Sequence, residues 1–285
     1  MKFNPPRRPR RDRPQKTGIR TLPRDSVSVI PHLFGETMEE KDIHIRLATP
    51  MYGGMATGVY IQSLLNLSTI LAGANIKLSC AFMFNESLIT RGRNNLVHQF
   101  LQNDEPTHLL FVDADMKFRG EDIYHMIKAD KEIIVAICPK KEINWDSVRQ
   151  AALREEKNLA NFTGSFVVNL LNDTPQLTVP KDKPFEVAAG GTGIMLIKRE
   201  VFEKLKDTTP VFKNDMSHMK GGEPVYQFFS ESIDPESGRL LSEDYHFCHA
   251  WRRTGGKVWA APWCAIGHAG TYLFEGQLVE EKKSE

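Results

Sequence analysis

The sequence predicts an α/β protein with a mostly parallel central sheet, and three observations carry that prediction. Short apolar runs alternate with segments whose apolar residues recur at helical spacing, from about residue 43 to residue 138. One run, Leu109–Val112, ends abruptly in two carboxylates, Asp113 and Asp115. The carboxyl end of such a strand is where open α/β sheets bind ligands. The third observation is bulk composition. At 285 residues, with 41% hydrophobic and 26% charged residues, the chain suits one large α/β domain.

In order, Ile43 to Thr49 reads as a first strand and Pro50-Met51-Tyr52-Gly53-Gly54 as a turn. Ala56 to Ala72 reads as a helix, with Ile61, Leu64, Leu65 and Leu71 expected on its buried face. The polar residues within it make it a poor membrane span. Ile76 to Phe84 is a second strand, and Leu88 to Gln102 a helix buried through Leu96, Val97, Phe100 and Leu101. Leu109 to Val112 is the third strand, Asp122 to Ala129 a helix, and Ile133 to Cys138 a fourth strand.

The second half is less regular. Residues 142–184 read as an excursion with an apolar run at Phe166–Leu171. Two strands, Phe185–Ala189 and Ile194–Ile197, flank Gly190-Gly191-Thr192-Gly193, and a helix starts near Arg199. Residues 207–240, rich in Gly, Pro, Asp and Ser, read as a long loop of the kind that often forms a lid. A helix over Ser242–Thr254 and a short strand at Val258–Ala260 follow.

Charge is uneven. Residues 1–25 carry nine Lys and Arg against Asp12 and Asp25, while the rest of the chain is mildly acidic. This Pro-rich stretch cannot bury a core, so residues 1–28 are expected to be a disordered basic arm, and 276–285 a charged tail. Such an arm is either a solvated tail or an electrostatic tether to a polyanion, most obviously nucleic acid. Four scattered Cys without metal-type spacing suggest a reducing compartment, hence a cytoplasmic location.

Four patches can carry chemistry. Side chains alternate along an extended chain, so Asp113 and Asp115 can face one hard cation such as Mg²⁺ or Mn²⁺. The same pattern can also simply open a turn. Ser242-Glu243-Asp244 opens a helix, where acidic residues favour the dipole. Equally, one of the two carboxylates can act as a general base. Arg91, Arg93 and Asn94 sit at a helix start, which can bind phosphate. His268, between small residues, is a candidate third metal ligand.

Taken in order, Thr49-Pro50, Arg93-Asn94, Asp113-Ala114-Asp115, Gly190 to Gly193, Glu243-Asp244 and His268 resemble the GT-A fold glycosyltransferases. The likeness is to the family-2-like and mannan-polymerase-subunit-like transferases, including tailed-phage versions that modify DNA. It implies one Rossmann-like GT-A domain over residues 40–275. It further implies that Thr49, Pro50 and Tyr52 hold the nucleobase and that Arg91, Arg93 and Asn94 help hold the nucleotide. Asp113 with Ala114 would meet the ribose, and Gly191 and Thr192 would shape the sugar and acceptor site. Asp113, Asp115 and His268 would hold Mn²⁺ or Mg²⁺, and Asp244, or failing it Glu243, would be the base.

The resulting expectation is metal-dependent sugar transfer from a nucleotide sugar, a UDP-sugar first. The acceptor expected from the basic arm is a hydroxymethylated pyrimidine in phage DNA, in the host cytoplasm. Alternatives are a glycan, lipid-linked sugar or protein acceptor, nucleotidyl transfer, and a nucleic-acid-binding module whose transferase-like body is inert.

Overall fold

The computed structural model describes residues 43–171, 179–214 and 222–272, all within one compact unit, Glu36–Glu285. The expected arm and charged tail lie outside the described residues. The chain opens with strand β1 (His44–Met51), helix α1 (Gly58–Gly73), β2 (Lys77–Phe84), α2 (Ile89–Leu101) and β3 (His108–Val112). It continues with β4 (Met116–Lys117), α3 (Gly120–Lys128), β5 (Ile133–Ala136), β6 (Cys138–Pro139) and α4 (Trp145–Leu153). Then come β7 (Phe166–Asn169), β8 (Phe185–Val187), β9 (Ala189–Gly190), β10 (Ile194–Lys198) and α5 (Arg199–Leu205). The last elements are β11 (Val211–Lys213), β12 (Pro224–Tyr226), β13 (Ser232–Ile233), β14 (Leu240–Leu241), α6 (Glu243–Arg253), β15 (Val258–Ala261) and β16 (Gly267–His268).

The central sheet has 7 strands in the order β2-β1-β3-β10-β5-β15-β8. β1 is parallel to β2 and β3, and β15 is parallel to β5. β10 and β8 run antiparallel to their neighbours. The expected α/β class and mostly parallel sheet are therefore what the chain forms. β3 and β5 are buried along their whole length, as near-continuous apolar runs require when both faces are covered. One core layer packs Phe100, Phe202, Phe229, Phe247 and Trp251 from the α2, α5 and α6 side. The other packs Tyr60, Leu67, Leu71, Ile123 and Met126 from α1 and α3.

Helix α1 is rotated from the expected face. Tyr60, Ser63, Leu67 and Leu71 are buried, whereas Ile61 and Leu65 are exposed. The cause is polar. The Phe118 amide donates to Ser63 Oγ at 3.0 Å and the Gly120 amide to Asn66 Oδ1 at 2.6 Å. Apolar periodicity cannot register these two bonds. Gly120 makes the approach possible, because a Cβ there would sit 2.8 Å from the Leu67 Cα.

The 207–240 stretch is mostly irregular, as expected, but its described residues include the short β11–β12 and β13–β14 pairings, and Phe228 and Phe229 are buried in the core. Asn94 explains the docking, since its amide donates to the Phe229 carbonyl and its oxygen accepts the Phe229 amide, both at 2.9 Å. The 142–184 excursion returns through β7, which pairs with β6 and β9. Among the described residues no helix is long and apolar enough to cross a membrane.

Candidate active site

The site is built at the carboxyl end of β3. The Asp113 amide donates to the Gly193 carbonyl at 3.0 Å and the Met116 amide to the Asp113 carbonyl at 3.1 Å. This tight turn sends the two Asp side chains to different partners. Asp113 Oδ1 accepts from Arg93 Nη2 at 3.0 Å. Asp115 accepts from the Lys141 ammonium through Oδ2, and its Oδ1 lies 3.4 Å from His268 Nε2.

His268 arrives through a two-residue antiparallel ladder in which it faces Met116, and the Ala269 amide donates to the Asp115 carbonyl at 2.9 Å. Its Nδ1 lies 2.9 Å from the Pro139 carbonyl, so Nδ1 carries the proton and a neutral ring turns its Nε2 lone pair toward Asp115. Asp115 Oδ1 is buried and accepts no hydrogen bond. An acceptor oxygen facing an acceptor nitrogen fits a cation between them, or a protonated ring. Among the described residues, no three His, Cys, Asp or Glu side chains converge to hold a metal ion. Of the expected Asp113–Asp115–His268 trio, the structure brings Asp115 and His268 together, while Asp113 turns to the Arg93 guanidinium.

Arg93 is the hub. Its side chain is 4% exposed, bonds Asp113, and approaches Glu243 Oε1 through Nε at 3.4 Å. It also stacks over the Phe111 ring at 5.3 Å. Burial alone would lower its pKa, but the Asp113 and Glu243 carboxylates outweigh burial and raise it. Its Nη1 is buried without a hydrogen-bond partner. One guanidinium therefore ties the end of β3 to the start of α6.

The two acids of α6 differ. Glu243 is largely buried against Arg93, and burial together with the Asp244 charge raises its pKa, with Arg93 opposing. Asp244 Oδ1 accepts from the Ser242 hydroxyl and from the Tyr245 amide. Ser242 stands at the N-cap position but its side chain makes no cap bond to the helix. The other oxygen, Asp244 Oδ2, would lie 3.4 Å from a Cβ at position 191. Gly191 and Thr192 are buried beside it. A Cβ at Gly190 would lie 2.5 Å from Val135 Cγ2, so the glycine run lets this backbone lie directly on β5.

A cavity of about 650 Å³ opens at this end of the sheet. Pro50, Tyr52 and Met55 line one part, and Arg93, Asp113, Ala114, Asp115 and His268 also line it. Three expected nucleotide contacts fall elsewhere. Thr49 is buried and its hydroxyl pairs with Tyr60 at 2.7 Å. Asn94 is spent on the Phe229 backbone, as above. Arg91 binds Glu86 through Nε at 2.7 Å and Nη2 at 3.1 Å; Glu86 also caps the Leu88 amide at 2.9 Å. The Ala114 carbonyl accepts the Thr57 amide at 2.9 Å. Lys141, absent from the sequence expectations, is brought in only by the fold. A lysine after a short strand carries no signal of its own.

No protein-family model matches the chain, and no curated protein sequence does. Solved structures are similar at a distance. A197 from STIV matches at 14% identity over 80% of this chain and 87% of that one, with a TM-score of 0.44. GalNAc-T7, crystallised with UDP, GalNAc and Mn²⁺, matches at 12% over 79% and 44%, with a TM-score of 0.38. A glycosyltransferase involved in glycosylation of the major capsid of PBCV-1 matches at 8% over 57% and 64%, with a TM-score of 0.29. These likenesses are faint, and the functional reading rests on the side chains at the carboxyl end of β3.

Proposed function

We propose that the chain is a metal-dependent glycosyltransferase that takes a sugar from a nucleotide donor, a UDP-sugar first, to an acceptor hydroxyl. The observation that carries this reading is one cavity holding Asp113, Arg93 and the Asp115 oxygen without a hydrogen bond opposite His268, with Glu243 of α6 linked to it through Arg93. In this reading Tyr52 and Pro50, which line the cavity, would hold the base, and Asp113 and Arg93 the ribose and phosphates. Asp115 and His268 would hold Mn²⁺ or Mg²⁺, which when bound neutralises charge on the leaving diphosphate.

The chain's own part is positional and acid–base. Asp244, with one oxygen held by Ser242 and Tyr245, keeps the other open beside Gly191 and takes the acceptor's proton. The acceptor oxygen bonds to the anomeric carbon as the bond from that carbon to the diphosphate oxygen breaks. The leaving electron pair departs with the nucleoside diphosphate. Glu243 holds Arg93 and positions it.

The proposed acceptor is a hydroxymethylated pyrimidine in DNA, supported by the excess of seven positive charges in residues 1–25. The test is a panel of nucleotide sugars with Mn²⁺, scoring released nucleoside diphosphate with and without hydroxymethylated DNA. Asp115→Asn removes a charged ligand at constant size and is expected to abolish release while thermal unfolding stays unchanged. Full release by this variant, or by the wild type in excess chelator, removes the metal from the reading.

A further inference from the structure

A second cavity, of about 660 Å³, lies beside the first, and Lys141 and His268 line both. We infer that this second cavity receives the acceptor as a nucleobase turned out of its strand, an assignment that rests on the glycosyl-transfer reading above. Its walls come from three separate stretches of chain. Trp145 starts α4, Phe166 starts β7, and Tyr272 follows β16, and they are 60%, 56% and 47% exposed.

The backbone explains their convergence. The Asn144 amide donates to the Thr163 carbonyl at 2.7 Å and the Lys140 amide to the Ser165 carbonyl at 2.9 Å. Asn144 also caps α4 by accepting the Ser147 amide at 2.9 Å. The excursion is thereby folded back so that Trp145 and Phe166 line one hollow. Large aromatic side chains are normally spent in the core, and several gathered exposed around one concavity mark a ligand surface.

The chemistry of the rim selects the ligand. Aromatic faces stack any base. Lys140, exposed on the rim, gives a cation for a strand's phosphates, while Lys141 is paired with Asp115. The lone carboxylate among the lining residues, Glu142, accepts from the Ser165 hydroxyl. The shared wall at Lys141 and His268 sets the second cavity beside the first, and β7 joins it to the proposed base, because Val167, next to Phe166, and Asp244 Oδ2 lie 3.2 and 3.4 Å from a Cβ built at position 191.

The test uses the full chain and a labelled single-stranded oligonucleotide carrying 5-hydroxymethylcytosine, followed by fluorescence anisotropy at fixed salt. Trp145→Ala is expected to weaken binding about 5- to 100-fold, the worth of one stacked base, and Trp145→Phe to restore most of it. Phe166→Ala is a second, independent variant on β7, expected to act in the same direction. UDP binding by calorimetry is expected to be the same in all three. Oligonucleotide binding that ignores both alanine variants overturns the assignment. So does a neutral oligosaccharide, maltoheptaose, that binds the wild type and is lost on Trp145→Ala while the oligonucleotide is not. If the wild type fails to bind UDP, the donor reading fails, whereas the anisotropy series still decides whether bases stack on Trp145.

Discussion

Between His44 and Ala136 the chain alternates strand and helix, and the four central-sheet strands of this region, β1, β2, β3 and β5, all run one way. Between Cys138 and Leu241 the strands are two to five residues long and pair mainly antiparallel with partners far along the chain. The first region offers Asp113, Asp115 and Tyr52 to the cavity from the ends of its own strands. The later chain brings Lys141 and His268 to the same cavity, and Glu243 to Arg93 in its wall, through contacts far apart in sequence. Local periodicity places groups in the first region, and nonlocal pairing places them in the second. Arg93 is where the two kinds of placement meet.

The sharpest way to break that meeting is Arg93→Met. Removing one partner of a buried ion pair typically costs about 3–5 kcal/mol, and here two carboxylates lose the same cation. Urea unfolding is expected to show a loss of that order, with sugar transfer abolished. Arg93→Lys is expected to rescue neither fully, because an ammonium cannot span Asp113 and Glu243 as a guanidinium does. Wild-type stability in Arg93→Met would show that the two regions are held together elsewhere.

Asp244→Asn tests the second region's contribution to the chemistry. Turnover is expected to fall about 10²- to 10⁴-fold, the usual worth of a general base, with donor affinity unchanged in calorimetry. If Glu243→Gln is crippled in turnover and Asp244→Asn is not, the two acids exchange roles.

His108 tests the seam between the regions, since it faces Lys198 across the β3–β10 pairing. Burial, helped by Lys198, lowers its pKa to about 4 from an ordinary 6.5. The unfolded chain therefore takes up a proton before the folded one as pH falls. Stability is lost between about pH 6.5 and pH 4, by about 3 kcal/mol for this group. His108→Asn is expected to flatten that part of a stability-versus-pH curve measured in urea. An unchanged slope would mean that other groups set the acid limit.

The smallest effect is expected at Lys141. Its ammonium competes with any cation for Asp115, and a partly exposed ion pair is worth about 0.2–1 kcal/mol. Lys141→Met is therefore expected to tighten Mn²⁺ binding to the nucleotide-free protein by about two- to five-fold. Weaker Mn²⁺ binding in this variant would show that the lysine supports the ion rather than competing with it.

Much of the first region is legible from the sequence, because β3 and β5 are buried on both faces and read as continuous apolar runs. Asp113 and Asp115 could be picked out for the same reason, as carboxylates ending such a run. Their separate partners could not, since Arg93 and Lys141 lie 20 and 26 residues away in opposite directions. Helix α1 was misread by its apolar face because Ser63 and Asn66 bond backbone amides on a distant turn. The 207–240 stretch looks like a loop because its composition is polar, yet Phe228 and Phe229 carry it into the core. Buried Asn94 could have signalled this, as a polar side chain on the apolar face of α2, but its partner is 135 residues away.

That Asn94 clamp has a consequence for how the chain can be recombined. Both polar atoms of one amide are matched to both backbone groups of Phe229. Because the clamp reads only the backbone at position 229, a chimaera that takes residues 222–241 from another protein keeps it as long as Asn94 stays and the new segment follows the same backbone path without Pro at 229. Replacement of Asn94 itself, by contrast, leaves both backbone groups of a buried segment without partners, whatever sequence that segment carries.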